Sequence, residues 1–236
     1  MAKLQDLQKQ LLSLGNPEKS EKLSSFFKTG KGQYGEGDIF IGVTMPQVRN
    51  LVKSFKTLSL ESIELLLQSK EHEFRMAALL ILIERYRKGT KETQKECYDL
   101  YLRNTEQINN WDLVDASAEH IVGHWLEDKA YKTEVLSKLA QSTLLWERRI
   151  AMLSTFHFIK QGKEEDALHI AFMLMKDKHD LIHKAVGWML REVGKRCSME
   201  AEEKFLEKNY SQMPRTMLRY AIEHFPEEKR KAYLKK

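Results

Sequence analysis

Four stretches of this 236-residue chain repeat one helical pattern: "FRMAALLIL" from Phe74, "RRIAMLSTF" from Arg148, "HKAVGWML" from His183 and "PRTMLRYAI" from Pro214. Each carries a basic residue at its second position. These residues are Arg75, Arg149, Lys184 and Arg215, spaced by 74, 35 and 31 residues. The first gap is about twice the others, and the helix holding Asp112 falls in its middle. A period in the thirties, with two helices per repeat, marks an α-solenoid of HEAT or armadillo type. The expected fold is therefore all-α, a right-handed α-α superhelix forming one domain over residues 1–236. Basic residues at equivalent repeat positions are expected to line one concave surface.

The rest of the chain agrees with that reading. Helical periodicity predicts helices near 3–14, 17–28, 60–69, 72–87, 91–104, 110–126, 131–141, 144–161, 164–175, 179–195, 199–208, 214–224 and 226–234. Another begins at "TMPQVRNLVKSF", where Thr44 and Gln47 form a capping box and Pro46 suits the first turn. No stretch alternates as a strand does. The clearest loop is "TGKGQYGEGDIFIG", residues 29–42, with glycines at 30, 32, 35, 37 and 42. No Lys-Ser/Thr follows its last glycine and no GxGxxG opens a helix, so it is not a phosphate loop. Cys97 and Cys197 make neither a disulfide framework nor a metal spacing. The amphipathic N-terminus does not read as a signal peptide, and the apolar run 76–83 is too short to span a bilayer. A soluble, cytoplasmic protein with no membrane partner is expected. Net charge is +5, and its excess is uneven: from Gln141 onward 19 Lys+Arg face 14 Asp+Glu, while residues 1–140 balance. That suggests an acidic partner.

Several residues resist a purely structural explanation. In "NNWDLVDASAEH", Asn109 or Asn110 is a plausible N-cap and Asp112 suits the helix dipole. Asp115 lies a turn further in, where neither the dipole nor propensity favours it. It shares a helix face with Trp111, four residues earlier. Val114, Ala118, Ile121 and Trp125 define the buried side, with Trp111 and Asp115 at its edge. In the helix 179–195, Ile182, Ala185, Val186, Met189, Leu190 and Val193 form the apolar stripe. Trp188 stands roughly 130° away among Lys184, Arg191 and Lys195, as a platform for a sugar or base or as a packing contact. Arg149 falls on an apolar face and needs a carboxylate, a carbonyl or a phosphate, whereas Arg148 reads as its solvated neighbour. His120 and His124 have a zinc-like spacing without the HExxH glutamate, so no metal site is assigned. A carboxylate beside aromatics on a basic surface can stabilise the sugar cation formed when a glycosidic bond breaks.

Three stretches resemble the bacterial DNA alkylation repair family, the HEAT-like-repeat DNA glycosylases of AlkD type. They are "WDLVD" at 111–115, "WERRIAML" at 146–153 and "IHKAVGWMLRE" at 182–192. "FIGVTMPQVRNLV", residues 40–52, is similar to that family's N-terminal GxxxPxxR segment. The matches keep their order over roughly residues 17–225. The resemblance implies excision of N3- and N7-alkylated purines from duplex DNA without base flipping, by a monomer that needs no cofactor. It implies Asp115 as the catalytic carboxylate, Trp111 and Trp188 against the lesion's deoxyribose, and Arg149 on the backbone nearby. Arg148, Lys184, Arg191, Lys195 and Arg215 are expected to contact DNA as well. The segment 30–37 is longer than the family's compact connection.

Overall fold

The computed structural model describes residues 2–235. Among them the chain is helical throughout, and its only extended pairing is one parallel bridge between Ile39 and Glu71. Two compact units are present, residues 1–117 and 118–236.

The first unit holds α1 (Ala2–Ser13), α2 (Pro17–Phe26), α3 (Met45–Leu51), α4 (Leu60–Leu67), α5 (His72–Lys88) and α6 (Lys91–Arg103). It also holds most of α7 (Trp111–Ala118). Local chemistry sets these boundaries. Asn16 accepts from the Lys19 N–H at 2.9 Å ahead of Pro17, and Ser59 and Thr90 cap α4 and α6 in the same way. Gln47 Oε1 accepts from the Thr44 backbone N–H at 3.0 Å while the Thr44 side chain takes the Gln47 N–H, which is the capping box, and the Thr44 hydroxyl also donates to Gln47 Oε1. Helix α5 is buried along one continuous stretch from His72 to Ile83, because α3, α4 and α6 pack around it.

In the second unit Glu119–Gly123 forms a π turn and His124–Leu126 a short helical turn. Then follow α8 (Lys132–Ala140), α9 (Leu145–Ser154, resuming at Phe156–Ile159), α10 (Glu165–Leu174), α11 (Asp180–Arg196), α12 (Met199–Asn209), α13 (Arg215–Ala221) and α14 (Glu227–Leu234). Here helices pack on the next and on the next but one. Helix α8 meets α9 and α10, and α9 meets α11; α11 meets α10, α12 and α13. That is the two-layer stacking of helix pairs expected of a solenoid repeat. Gly187 allows one of these close approaches, since a Cβ there would lie 2.4 Å from the Met217 carbonyl oxygen on α13. No described helix is long and apolar enough to cross a membrane.

The repeat alignment needs one correction. Arg75 does not line an exposed surface: its side chain is 3% exposed and pairs with Asp38 at 2.6 Å. It also donates to the carbonyls of Ser69 and Lys70, six and five residues earlier. Arg148 repeats that arrangement, pairing with Asp177 at 2.6 Å and donating to the carbonyls of Ser142 and Thr143. Arg148, not Arg149, is thus the structural counterpart of Arg75, and it is tied down rather than solvated. At both positions the arginine holds the loop that enters its own helix.

Candidate functional site

Helix α7 presents Trp111 and Asp115 on a half-exposed edge, while Leu113, Val114, Ser117 and Ala118 are buried. The edge placement read from the wheel is therefore observed. The surroundings of Asp115 are polar on the protein side. The buried Tyr101 hydroxyl bonds to Ser117 Oγ at 2.9 Å, and Ser117 Oγ donates to the Leu113 carbonyl at 2.6 Å. Burial pushes the Tyr101 hydroxyl well above its ordinary range; the Ser117 bond opposes this and the nearby Asp115 charge adds to it.

The first turn of α7 is immobilised by residues far away in sequence. His72 sits 3% exposed at the start of α5, with Nδ1 2.8 Å from Asp38 and Nε2 2.9 Å from Asp112. Asp38 also takes Arg75 and the side-chain amide of Asn110, while Asn110 Oδ1 accepts from the Trp111 N–H at 2.9 Å. Of the two candidate caps, Asn110 is the one that immediately precedes the helix. Burial disfavours a charged His72, but hydrogen bonds and charge from Asp112 and Asp38 outweigh it and hold its pKa up to about 9. Burial would likewise raise Asp38, yet its bonds to His72 and Arg75 keep it below its ordinary value. Asp112 therefore does more than complement the dipole: it joins α7 to α5.

Aromatic rings reinforce the link. Trp111 stacks on Phe27 with centroids 5.1 Å apart, Phe27 stacks on Phe40 at 4.8 Å, and Phe40 stacks on His72 at 4.3 Å. Phe26 meets Trp111 edge-on while remaining 63% exposed. Sequence reasoning missed Phe26, Phe27, Asp38, Phe40 and His72. His72 bonds to residues 34 and 40 positions away, and only the tertiary fold supplies that pairing. The glycine-rich loop enters here too. Its last residues hang on the buried Glu73 carboxylate, which accepts from the N–H groups of Ile41, Gly42 and Val43 at 2.8–3.1 Å. Gly42 has φ +84, and a Cβ there would lie 2.1 Å from the Asn16 carbonyl oxygen, so only glycine fits.

The other anticipated residues belong to the second unit. Arg149 is buried, and its guanidinium donates to the Leu181 carbonyl at 2.6 Å, in the first turn of α11. Of the three partners its position demanded, a carbonyl is present. Trp188, further along α11, is half-buried with its ring 5.8 Å from Phe156, and the apolar stripe beside it is fully buried. Lys184 pairs with Asp180 at 2.7 Å and Arg191 with Glu223. Arg215 is exposed and donates to the Leu234 carbonyl, and Lys195 is exposed. Among the described residues, no group of three or more His, Cys, Asp or Glu side chains is arranged to hold a metal ion.

The fold matches the solved structure of a predicted DNA alkylation repair enzyme from Enterococcus faecalis, with a TM-score of 0.70 at 18% identity over 90% of this chain and 97% of that one. No curated protein matches the sequence. Residues 7–225 match the family model of the DNA alkylation repair enzyme, and the chain belongs to that family.

Proposed function

We propose that the protein is a monofunctional DNA glycosylase of AlkD type, acting as a single repair domain and as a monomer on duplex DNA that contains N3- or N7-alkylated purines. The observation that carries this reading is the pairing of Trp111 with Asp115, half-exposed one turn apart on a helix whose first turn is fixed by a buried network.

An alkylated purine is cationic and leaves readily. As the C1′–N bond breaks, its electron pair goes to the base, which departs neutral, and positive charge develops on the deoxyribose. The Asp115 carboxylate stabilises that charge and orients the water that adds to C1′ with loss of a proton. Beside Asp115, Trp111 packs against the deoxyribose; the family resemblance alone gives Trp188 a place at the sugar and Arg149 one at the backbone. Lys184, Arg191, Lys195 and Arg215 supply further phosphate contacts. The base leaves without being flipped, and no cofactor takes part.

The test is base release from a duplex carrying one 7-methylguanine, with a no-enzyme control because the lesion depurinates spontaneously. Wild type should exceed the control, and Asp115→Asn should lower the rate by about 100-fold or more while still binding the duplex. A wild-type rate at the control level, on this lesion and on 3-methyladenine, would reduce the reading to DNA binding. Loss of binding together with rate in Asp115→Asn would make the aspartate structural.

A further inference from the structure

A cavity of about 300 Å³ opens in the first unit, and its lining includes neither Trp111 nor Asp115. Its walls are apolar: Phe27 and Phe40 with Leu23, Met45, Val48 and Met76. Most of the polar groups that reach it are already committed. The Glu73 carboxylate serves three loop N–H groups, both His72 nitrogens bond to carboxylates, and the Thr44 hydroxyl donates to Gln47. Asp112 retains capacity. One of its oxygens takes His72 and the other the Leu113 N–H, whereas an ionised carboxylate offers about four acceptor sites. Lys19 and Lys22 stand exposed on α2 where it borders the cavity, and Lys22 pairs only with the exposed Glu18.

A ligand suited to these walls has a flat apolar body and edge N–H groups for a carboxylate. The volume lies at the small end of ligand sites, about 300–1,000 Å³. A purine meets each requirement: its flat body suits the apolar side chains of Leu23, Met45, Val48 and Met76, and its ring N–H and amino groups are donors without charge. The faces of Phe27 and Phe40 are already stacked on Trp111, His72 and each other. A phosphate carried on it would fall to the lysines. We propose that this cavity binds a purine ring, with its N–H edge on Asp112 and, where the ligand is a mononucleotide, its phosphate at Lys19 and Lys22. The ligand is then either the base released by the chemistry proposed above or a free purine mononucleotide. Only the first source rests on the glycosylase reading.

The experiment titrates the full chain, without DNA, against adenine, 7-methylguanine, adenosine and AMP by calorimetry. Wild type is compared with Leu23→Trp, Met45→Trp and Lys19→Ala, each shown to be folded by circular dichroism. Saturable one-to-one binding below about 1 mM is expected, weakened at least ten-fold by either tryptophan. AMP binding three-fold or more tighter than adenosine, with the advantage lost in Lys19→Ala, identifies a mononucleotide site. Equal binding of free bases and AMP, indifferent to Lys19→Ala, identifies a site for the excised base. No saturation by any of the four, or binding untouched by both tryptophans, overturns the proposal. DNA is absent, so the two readings fail separately. Base release without purine binding removes the cavity assignment alone, and purine binding without base release removes the glycosylase alone.

Discussion

His72 shows what a single side chain can fix at this site. A buried, doubly paired imidazolium is not needed for stability as such, since a well-packed apolar substitute can do as well; its advantage lies in joining two particular carboxylates and no others. Removing one partner while leaving the rest is a different matter. His72→Gln leaves Asp38 and Asp112 facing an amide that cannot donate to both in the same geometry. It should cost about 3–5 kcal/mol, with Tm falling about 2–4 °C per kcal/mol for a chain of this size. The loss should depend on pH. The folded pKa, about 9, lies above the ordinary histidine value of 6.5, so the contribution of His72 is complete below about pH 6.5 and disappears as pH rises through about 9. Thermal melts from pH 6 to pH 10 should show the gap between wild type and variant narrowing towards the alkaline end. A gap of constant size would mean that His72 is neutral in the folded protein. This residue also marks where sequence legibility stops. Asp115, Trp111, Trp188 and Arg149 stand out because each violates the periodicity of its own helix. His72, Asp38 and Phe27 violate nothing locally, and their importance comes from partners that one sequence does not name.

Among the elements, the helices are the most legible part of the molecule. Their ends follow from caps four or fewer residues long, and their buried faces from apolar spacing, as in α11, where all six stripe residues are buried. The repeat register inferred from sequence alone is one residue out. Arg148 and Arg149 are adjacent, and composition does not distinguish the arginine that holds a loop from the one that reaches the next helix pair. The pairwise stacking itself depends on close approaches such as that at Gly187. Replacing it with alanine would set a methyl group against the Met217 carbonyl and the Tyr220 Cβ, 2.4 and 2.5 Å away, so α11 and α13 must separate. A loss of about 1–3 kcal/mol is expected from such overpacking, read as a lower urea midpoint. An unchanged midpoint would show that this helix packing is softer than its geometry implies.

For the whole molecule, the net charge of +5 and the surplus of cations after residue 140 bear on affinity rather than fold. If duplex DNA is the substrate, binding should weaken steeply with salt. Replacing the exposed Lys195 or Arg215 with glutamine should reduce the slope of log K against log salt by about 1 for each phosphate that the side chain had neutralised. Affinity that does not change between about 50 and 200 mM salt would instead favour a protein-binding scaffold. The glycine-rich loop carries a consequence for how such a chain tolerates change. Gly35 N–H returns to the Lys28 carbonyl, and everything from Asp38 to Val43 is fastened by His72, Arg75 and Glu73. Between those two fastenings, a Cβ at Gly37 would meet nothing within 4 Å, and the same holds at Gly32 just ahead of them. Extra residues at Gly32, outside both fastenings, should bulge into solvent without shifting α7, whereas at Gly37 they would break the turn bond from the Asp38 N–H to the Gly35 carbonyl. Variation in loop length, or a peptide tag spliced in at Gly32, is thus mechanically insulated from Asp115, which lies beyond the Asp38 fastening.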